Sequence, residues 1–194
     1  MKSAAFNLLL LAVVASALCG FQPGNPQILI RTELGDIFLE IFVDEAPVTS
    51  SHFLKCIDGH LFRDASFYRT VTLDNQPENT IKIEVIQGGI RYSSGKKPPP
   101  PIEHETTDKT GILHRDGVLS LARSSPGTAS SEFFICVGDQ PELDFGGRRN
   151  PDRQGFSAFG RVVKGMDVVQ KIHGRPEEGQ MLNPRIKIFD IVRK

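Results

Sequence analysis

The chain has 194 residues, and its 23 basic residues balance 23 acidic ones to a formal charge of zero. That length suits one domain with a sizeable core, and the even charge excludes long-range attraction to nucleic acid or a membrane surface as its organising principle.

The first twenty residues stand apart. Lys2 supplies a positive start, residues 6–18 form an apolar stretch too short to span a bilayer, and Ala15-Ser16-Ala17 offers a small-x-small cleavage site. Residues 1–20 therefore read as a secretory signal peptide. The expected location is the secretory pathway, a periplasm or the extracellular space, with no membrane contact after cleavage. Cys56 and Cys136 then remain; both lie in apolar periodic segments without disulfide spacing and read as buried thiols.

Residues 28–30 and 37–43 form two strands joined across Leu34-Gly35-Asp36, a hairpin signal. Pro47 suits the first turn of a helix, because its missing N–H would be unpaired there anyway. That helix carries Phe53, Leu54 and Ile57 on one stripe and stops at Asp58-Gly59. Residues 67–71 make the next strand, with Phe67, Arg69 and Val71 expected on a common face. An arginine there is costly unless it meets a carboxylate or lines a cleft. After the polar turn 72–80 comes a partner strand at 81–87, whose alternation groups Ile81, Ile83, Val85 and Gln87, and Gly88-Gly89 ends it.

Four prolines at 98–101 exclude a central strand, and residues 102–105 offer a short edge strand. His104 and Glu105 do not continue into HExxH, and no metal or other cofactor is assigned. Residues 117–122 and 133–137 are the next strands, separated by a loop of small polar residues. Glu132, Phe134 and Cys136 share one side of the second, and Phe133, Ile135 and Val137 the other. An acidic group beside an aromatic ring marks a place to look for a site, although a strand entrance ordinarily leaves such a carboxylate to water. Arg148, Arg149 and Arg153, among glycines and a proline, read as a solvated loop rather than an anion site. Residues 155–163 form another strand, 167–172 a short helix ended by Gly174, and 186–192 the last strand. With no strand–helix alternation, the pattern is mainly β, an eight-stranded closed antiparallel barrel with two helices over its openings.

The ordered segments FYR (67–69), VIQGG (85–89), LSLAR (119–123) and SEFFI (131–135) resemble the signature segments of cyclophilin-type peptidyl-prolyl cis–trans isomerases. The similarity runs from about residue 28 to 192, within a single domain at 28–194. It is strongest toward the bacterial and plant branch, which carries a DNQP turn and an ELDFGGRRNP loop. The resemblance implies the capped barrel and a monomer that accelerates rotation about X–Pro bonds in proline-containing polypeptides, assisting the folding of exported proteins. Arg69 matches the catalytic arginine and Gln87 the glutamine that orients it. Val85, Phe134 and Leu143 match walls of the proline pocket, Ala122 and Arg123 the rim that binds substrate backbone, and Phe156 the region of a rim histidine. Glu132 stands where the family has glutamine, Arg123 where it has asparagine, Glu84 where it has a pocket phenylalanine, and Glu142 where many members carry tryptophan. An Arg123–Glu132 ion pair across the groove would compensate two of these changes. The alternative is a non-catalytic proline-peptide binding or chaperone module on the same barrel. The chain has no GxSxG elbow and no glycine-rich phosphate loop, which argues against hydrolase and nucleotide chemistry.

Overall fold

The computed structural model describes residues 24–194, so the proposed signal peptide lies outside the described residues. Strand β1 (Gln27–Thr32) turns at Leu34 into β2 (Gly35–Ile41), and helix α1 (Pro47–Asp58) follows. Then come β3 (Ala65–Val71), β4 (Val85–Gly89), a single turn α2 (Thr107–Thr110), β5 (Val118–Leu121) and β6 (Phe133–Cys136). After a 3-10 turn at Pro141–Leu143 the chain forms β7 (Ser157–Lys164), α3 (Met166–His173), the two-residue β8 (Glu177–Glu178) and β9 (Met181–Arg193). The strands neighbour one another in the order β1-β2-β7-β5-β6-β4-β3-β9, and antiparallel pairing of β1 with β9 closes the ring. Closure leaves no long edge unpaired. The expected eight-stranded barrel is therefore present, with β8 added as a short flap beside β9 and α2 as a third helix.

Alternation fills the interior. Ile28, Ile30, Ile37, Leu39, Ile41, Phe133 and Ile135 all project into one apolar cluster. Helix α1 adds Phe53, whose ring meets Phe159 at 5.0 Å and Phe133 edge-on at 5.7 Å. Helix α3 adds Val169 and Ile172. Cys56 and Cys136 are free and buried, as expected.

Three local expectations change. Residues 102–105 form no strand; instead Glu105 accepts from the N–H groups of Val48 (3.1 Å) and Thr49 (2.6 Å), serving as the missing cap of α1. Residues 81–84 also stay out of the sheet. The buried Gln76 side chain takes both the carbonyl (2.8 Å) and the N–H (3.3 Å) of Ile83, so ladder pairing begins only at Val85. Finally, a bulge at Tyr68 shifts the register between Phe67 and Arg69. Phe67 belongs to the interior cluster, while Val71 joins a second cluster on the barrel's outer face and Arg69 lines the groove there. Phe67 thus does not share the face of Arg69 and Val71, because the extra residue turns the strand between them.

Candidate active site

On the outside of β3, β4, β5 and β6 lies a groove of about 700 Å³. Its apolar floor is Ile83, Val85, Phe134 and Leu143, backed by the buried Val71 and Cys136 of the same cluster and flanked by Ala122 and Phe156. All nine residues singled out from the sequence, Arg69, Val85, Gln87, Ala122, Arg123, Glu132, Phe134, Leu143 and Phe156, line this one groove. Glu84 and Glu142 do not line it. Glu84 lies 4.0 Å from His173, and Glu142 pairs with Arg148 at 2.6 Å. The notch beside Phe134 is lined by the apolar Ile83, Val85 and Leu143.

Arg69 is held without a carboxylate. Its Nη1 donates to Gln87 Oε1 at 2.8 Å, while Nε and Nη2 donate to Gln180 Oε1 at 3.0 and 2.6 Å. Three of its N–H groups are committed to neutral amides, which leaves one on each terminal nitrogen of a five-donor fork. Burial pushes the guanidinium below the usual arginine range, and the nearby Arg91 charge adds to the effect. A cation so placed remains charged and is poorly screened, so its free N–H groups are strong donors.

Both amides are themselves fixed. Gln87 Nε2 donates to the Tyr68 hydroxyl at 2.8 Å, and Gln180 Nε2 donates to the Asn75 carbonyl at 2.9 Å. The Tyr68 hydroxyl in turn faces the Glu132 carboxylate; burial first and that charge second push its pKa up. Glu132 Oε1 accepts from the Ile90 N–H (3.0 Å) and the Ser131 hydroxyl (3.1 Å), while Oε2 has no hydrogen-bond partner. Gly89 permits this approach, since a Cβ there would stand 2.5 Å from Oε2. Burial raises the Glu132 pKa against the lowering effect of Tyr68, Ser131 and the backbone donors. The carboxylate is thus part of the hydrogen-bonded wall and not a solvated strand entrance.

The expected Arg123–Glu132 pair is not formed. Arg123 makes a two-pronged contact with Asp152, 2.8 Å at each prong, and donates from Nε to the Gly155 carbonyl at 2.8 Å. Its side chain is only 1% exposed and lies over the Phe156 ring, 5.2 Å from the centroid. Phe156 meets Phe134 edge-on at 5.3 Å, so the pair braces one wall of the notch. Beneath Phe134, His114 stacks nearly parallel at 5.9 Å. It is fixed by Asp144 (2.7 Å) on Nδ1 and Ser120 (3.0 Å) on Nε2. This row resembles a nucleophile triad in composition only, since Ser120 is wholly buried within the sheet.

Sequence reasoning missed Tyr68, Ile83 and Arg149 at the groove and Gln180 behind Arg69. Alternation puts Tyr68 on the face opposite Arg69 and groups Ile83 correctly with Val85 and Gln87 without singling it out as a site residue; Arg149 reads as part of a solvated loop. Gln180 follows Gly179 in a tight turn between β8 and β9, where no periodicity marks a side chain as inward.

A closed antiparallel barrel with an arginine and an apolar notch on its outer face defines a cyclophilin-like class. The match to the family described as "Cyclophilin type peptidyl-prolyl cis-trans isomerase/CLD" spans residues 27–192, and the chain belongs to that family of isomerases. The peptidyl-prolyl cis-trans isomerase of Acinetobacter baylyi is 31% identical over 155 residues, 78% of this chain and 74% of the relative. Peptidyl-prolyl cis-trans isomerase B of Escherichia coli is 34% identical over 156 residues, 76% and 84% respectively. Among solved structures, a cyclophilin type peptidyl-prolyl cis-trans isomerase of Cryptosporidium parvum superposes with a TM-score of 0.70. It is 22% identical and covers 88% of this chain and 98% of its own.

Proposed function

We propose that the groove binds proline-containing segments and accelerates cis–trans rotation about the X–Pro bond, with Arg69 as the catalytic residue. The carrying observation is that its two uncommitted N–H donors lie in the same groove as the Phe134–Val85–Leu143 notch, held by neutral amides alone. The X–Pro bond turns slowly because the nitrogen lone pair is delocalised into the carbonyl, a barrier of about 18–20 kcal/mol. As the bond twists, delocalisation fails and the nitrogen becomes a better hydrogen-bond acceptor. The notch holds the proline ring while the other half of the bond rotates, and Arg69 donates to the nitrogen only when it pyramidalises. A contact stronger in the transition state than in the ground state is what lowers a barrier.

Gln87 and Gln180 are positioning residues, which spare the guanidinium from reorganising during each turn. Ala122, Arg123, Glu132 and Phe156 form the rim along which the substrate backbone lies. No bond is made to the protein, and no proton is transferred. The signal-like first twenty residues support exported proteins as clients. The test is an isomerisation assay on a proline tetrapeptide with wild type and Arg69→Ala. Turnover that the variant loses supports the reading; equal rates in both would overturn it, and secretion of a reporter fused to residues 1–23 tests the route.

A further inference from the structure

Arg148 and Arg149 are sequence neighbours with opposite surroundings. Arg148 points outward and pairs with Glu142. Arg149 turns inward, lines the groove, and donates from Nη1 to the Ile81 carbonyl at 2.6 Å. The surrounding acidic groups are already committed: Glu142 to Arg148, Asp152 to Arg123 and Asp144 to His114. Among the described residues, no carboxylate lies within ion-pair distance of Arg69 or Arg149. The Asn150 Nδ2, on a residue lining the same groove, is buried without a partner. Burial lowers the Arg149 pKa, and the Arg69 charge lowers it further, so the two cations stand in each other's field. Two partly desolvated like charges beside an unused amide donor are unfavourable on their own, and an entering anion relieves all three costs together.

We propose that the Arg149 end of the groove is a subsite for an acidic side chain. It selects substrates that carry an Asp or Glu carboxylate within two residues of the isomerised proline. The carboxylate is received by the Arg149 guanidinium and the Asn150 amide. Glu132, the carboxylate that does line the groove, is engaged with Ser131 and Ile90, so it does not occupy this subsite. The assignment rests on the groove being the proline site. Arg149 is a specificity residue and takes no part in the rotation itself.

The experiment compares short proline peptides in which one Glu, or one Gln, is moved across the two positions before and after the proline. NMR titration reads affinity, and exchange spectroscopy on the same samples reads turnover. At one position Glu should bind about fivefold or more tighter than Gln at low salt, with the ratio falling toward one in about 0.5 M salt. Arg149→Gln should erase the ratio, and Arg149→Lys should keep part of it, because charge survives while the planar fork is lost. Equal affinity for Glu and Gln at every position overturns the proposal. So does a preference that Arg149→Gln leaves intact, or one shown by phosphoserine but not by Glu. If Arg149→Gln fails to fold, the lysine variant and the wild-type salt dependence decide. A Glu preference without any turnover would break the isomerase reading and leave the subsite standing.

Discussion

Strand β6 sets Phe133 and Ile135 into the barrel interior, Phe134 onto the groove and Cys136 into the cluster behind it, and different forces assemble the two sides. Inside, apolar rings and branched chains meet one another and polar side chains are few. Outside, the apolar notch is small, and its shape is held by amides, hydroxyls and paired charges contributed by loops. Burial alone specifies the first region, whereas the second depends on where individual polar atoms find partners. Stability should reside mainly inside and catalysis mainly outside.

The largest effect should come from neighbouring substitutions that separate these roles. Phe133→Ala removes a ring packed edge-on against Phe53, Phe62 and Phe67, and should cost about 3–5 kcal/mol in urea unfolding. Phe134→Ala, whose ring borders the groove, should cost about 1–3 kcal/mol and instead lose most turnover. Equal stability losses with equal activities would erase the distinction between the faces. Arg69→Ala should lower kcat/KM about 10²–10³-fold without lowering the unfolding midpoint, because a half-buried cation is lost together with its donors.

The interior was readable because its rule is simple. Period-two alternation along residues 28–30, 37–41 and 133–135 decides which side chains point inward, and closure of the sheet follows from the strand count. In the groove, alternation drew attention to Arg69 and to Glu132 beside Phe134, but roles for these and for Gln87 came only from the resemblance. The bulge at Tyr68 breaks the alternation that would place Phe67 and Arg69 together. The Gln76 hydrogen bonds that keep Ile83 out of the sheet join residues seven apart, and no local pattern announces them. Arg123 illustrates the same limit: its partner, Asp152, stands 29 positions away, and an equally plausible carboxylate, Glu132, was nearer in sequence. Charge pairing is decided by the fold of the 145–155 loop, where the left-handed Gly155 packs so closely on Leu143 that a Cβ would stand 2.4 Å from its carbonyl oxygen.

Gln180 sharpens the comparison at a smaller scale. It touches neither the notch nor the interior clusters, yet its Oε1 accepts two of Arg69's N–H groups. Gln180→Ala should reduce kcat about tenfold at nearly unchanged KM, because the guanidinium must then be ordered during each turnover. Gln180→Glu should restore order and add a counter-charge, giving a kcat between the two. A rise in KM alone would place Gln180 on the substrate instead.

The smallest expected effects are two pH dependences of opposite sign, from the groove-wall carboxylate Glu132 and from Asp152, the partner of Arg123. Asp152 is held down to about 2 from the ordinary 3.8, chiefly by the Arg123 fork. Its folded state therefore prefers the ionised form. The resulting stability is present above pH 3.8 and is lost as the pH falls through about 2. Asp152→Asn should cost about 1 kcal/mol at neutral pH after solvent screening, and the difference from wild type should close toward pH 2. Glu132 is the reverse case: burial raises its pKa above 4.5, so the folded state prefers the protonated form. That preference stabilises the fold fully below pH 4.5 and is lost as the pH rises through the raised value. Glu132→Gln keeps an acceptor for the Ile90 N–H while removing the charge, so it should match wild type in acid. At neutral pH it should be more stable, on the order of 1 kcal/mol. Urea unfolding of Asp152→Asn at pH 2 and pH 7, and of Glu132→Gln at pH 4 and pH 7, reads the two signs. A Glu132→Gln variant less stable than wild type at pH 7 would mean that Tyr68 and the backbone donors outweigh burial, making the wall a net electrostatic support and not a cost the fold carries for the sake of Arg69.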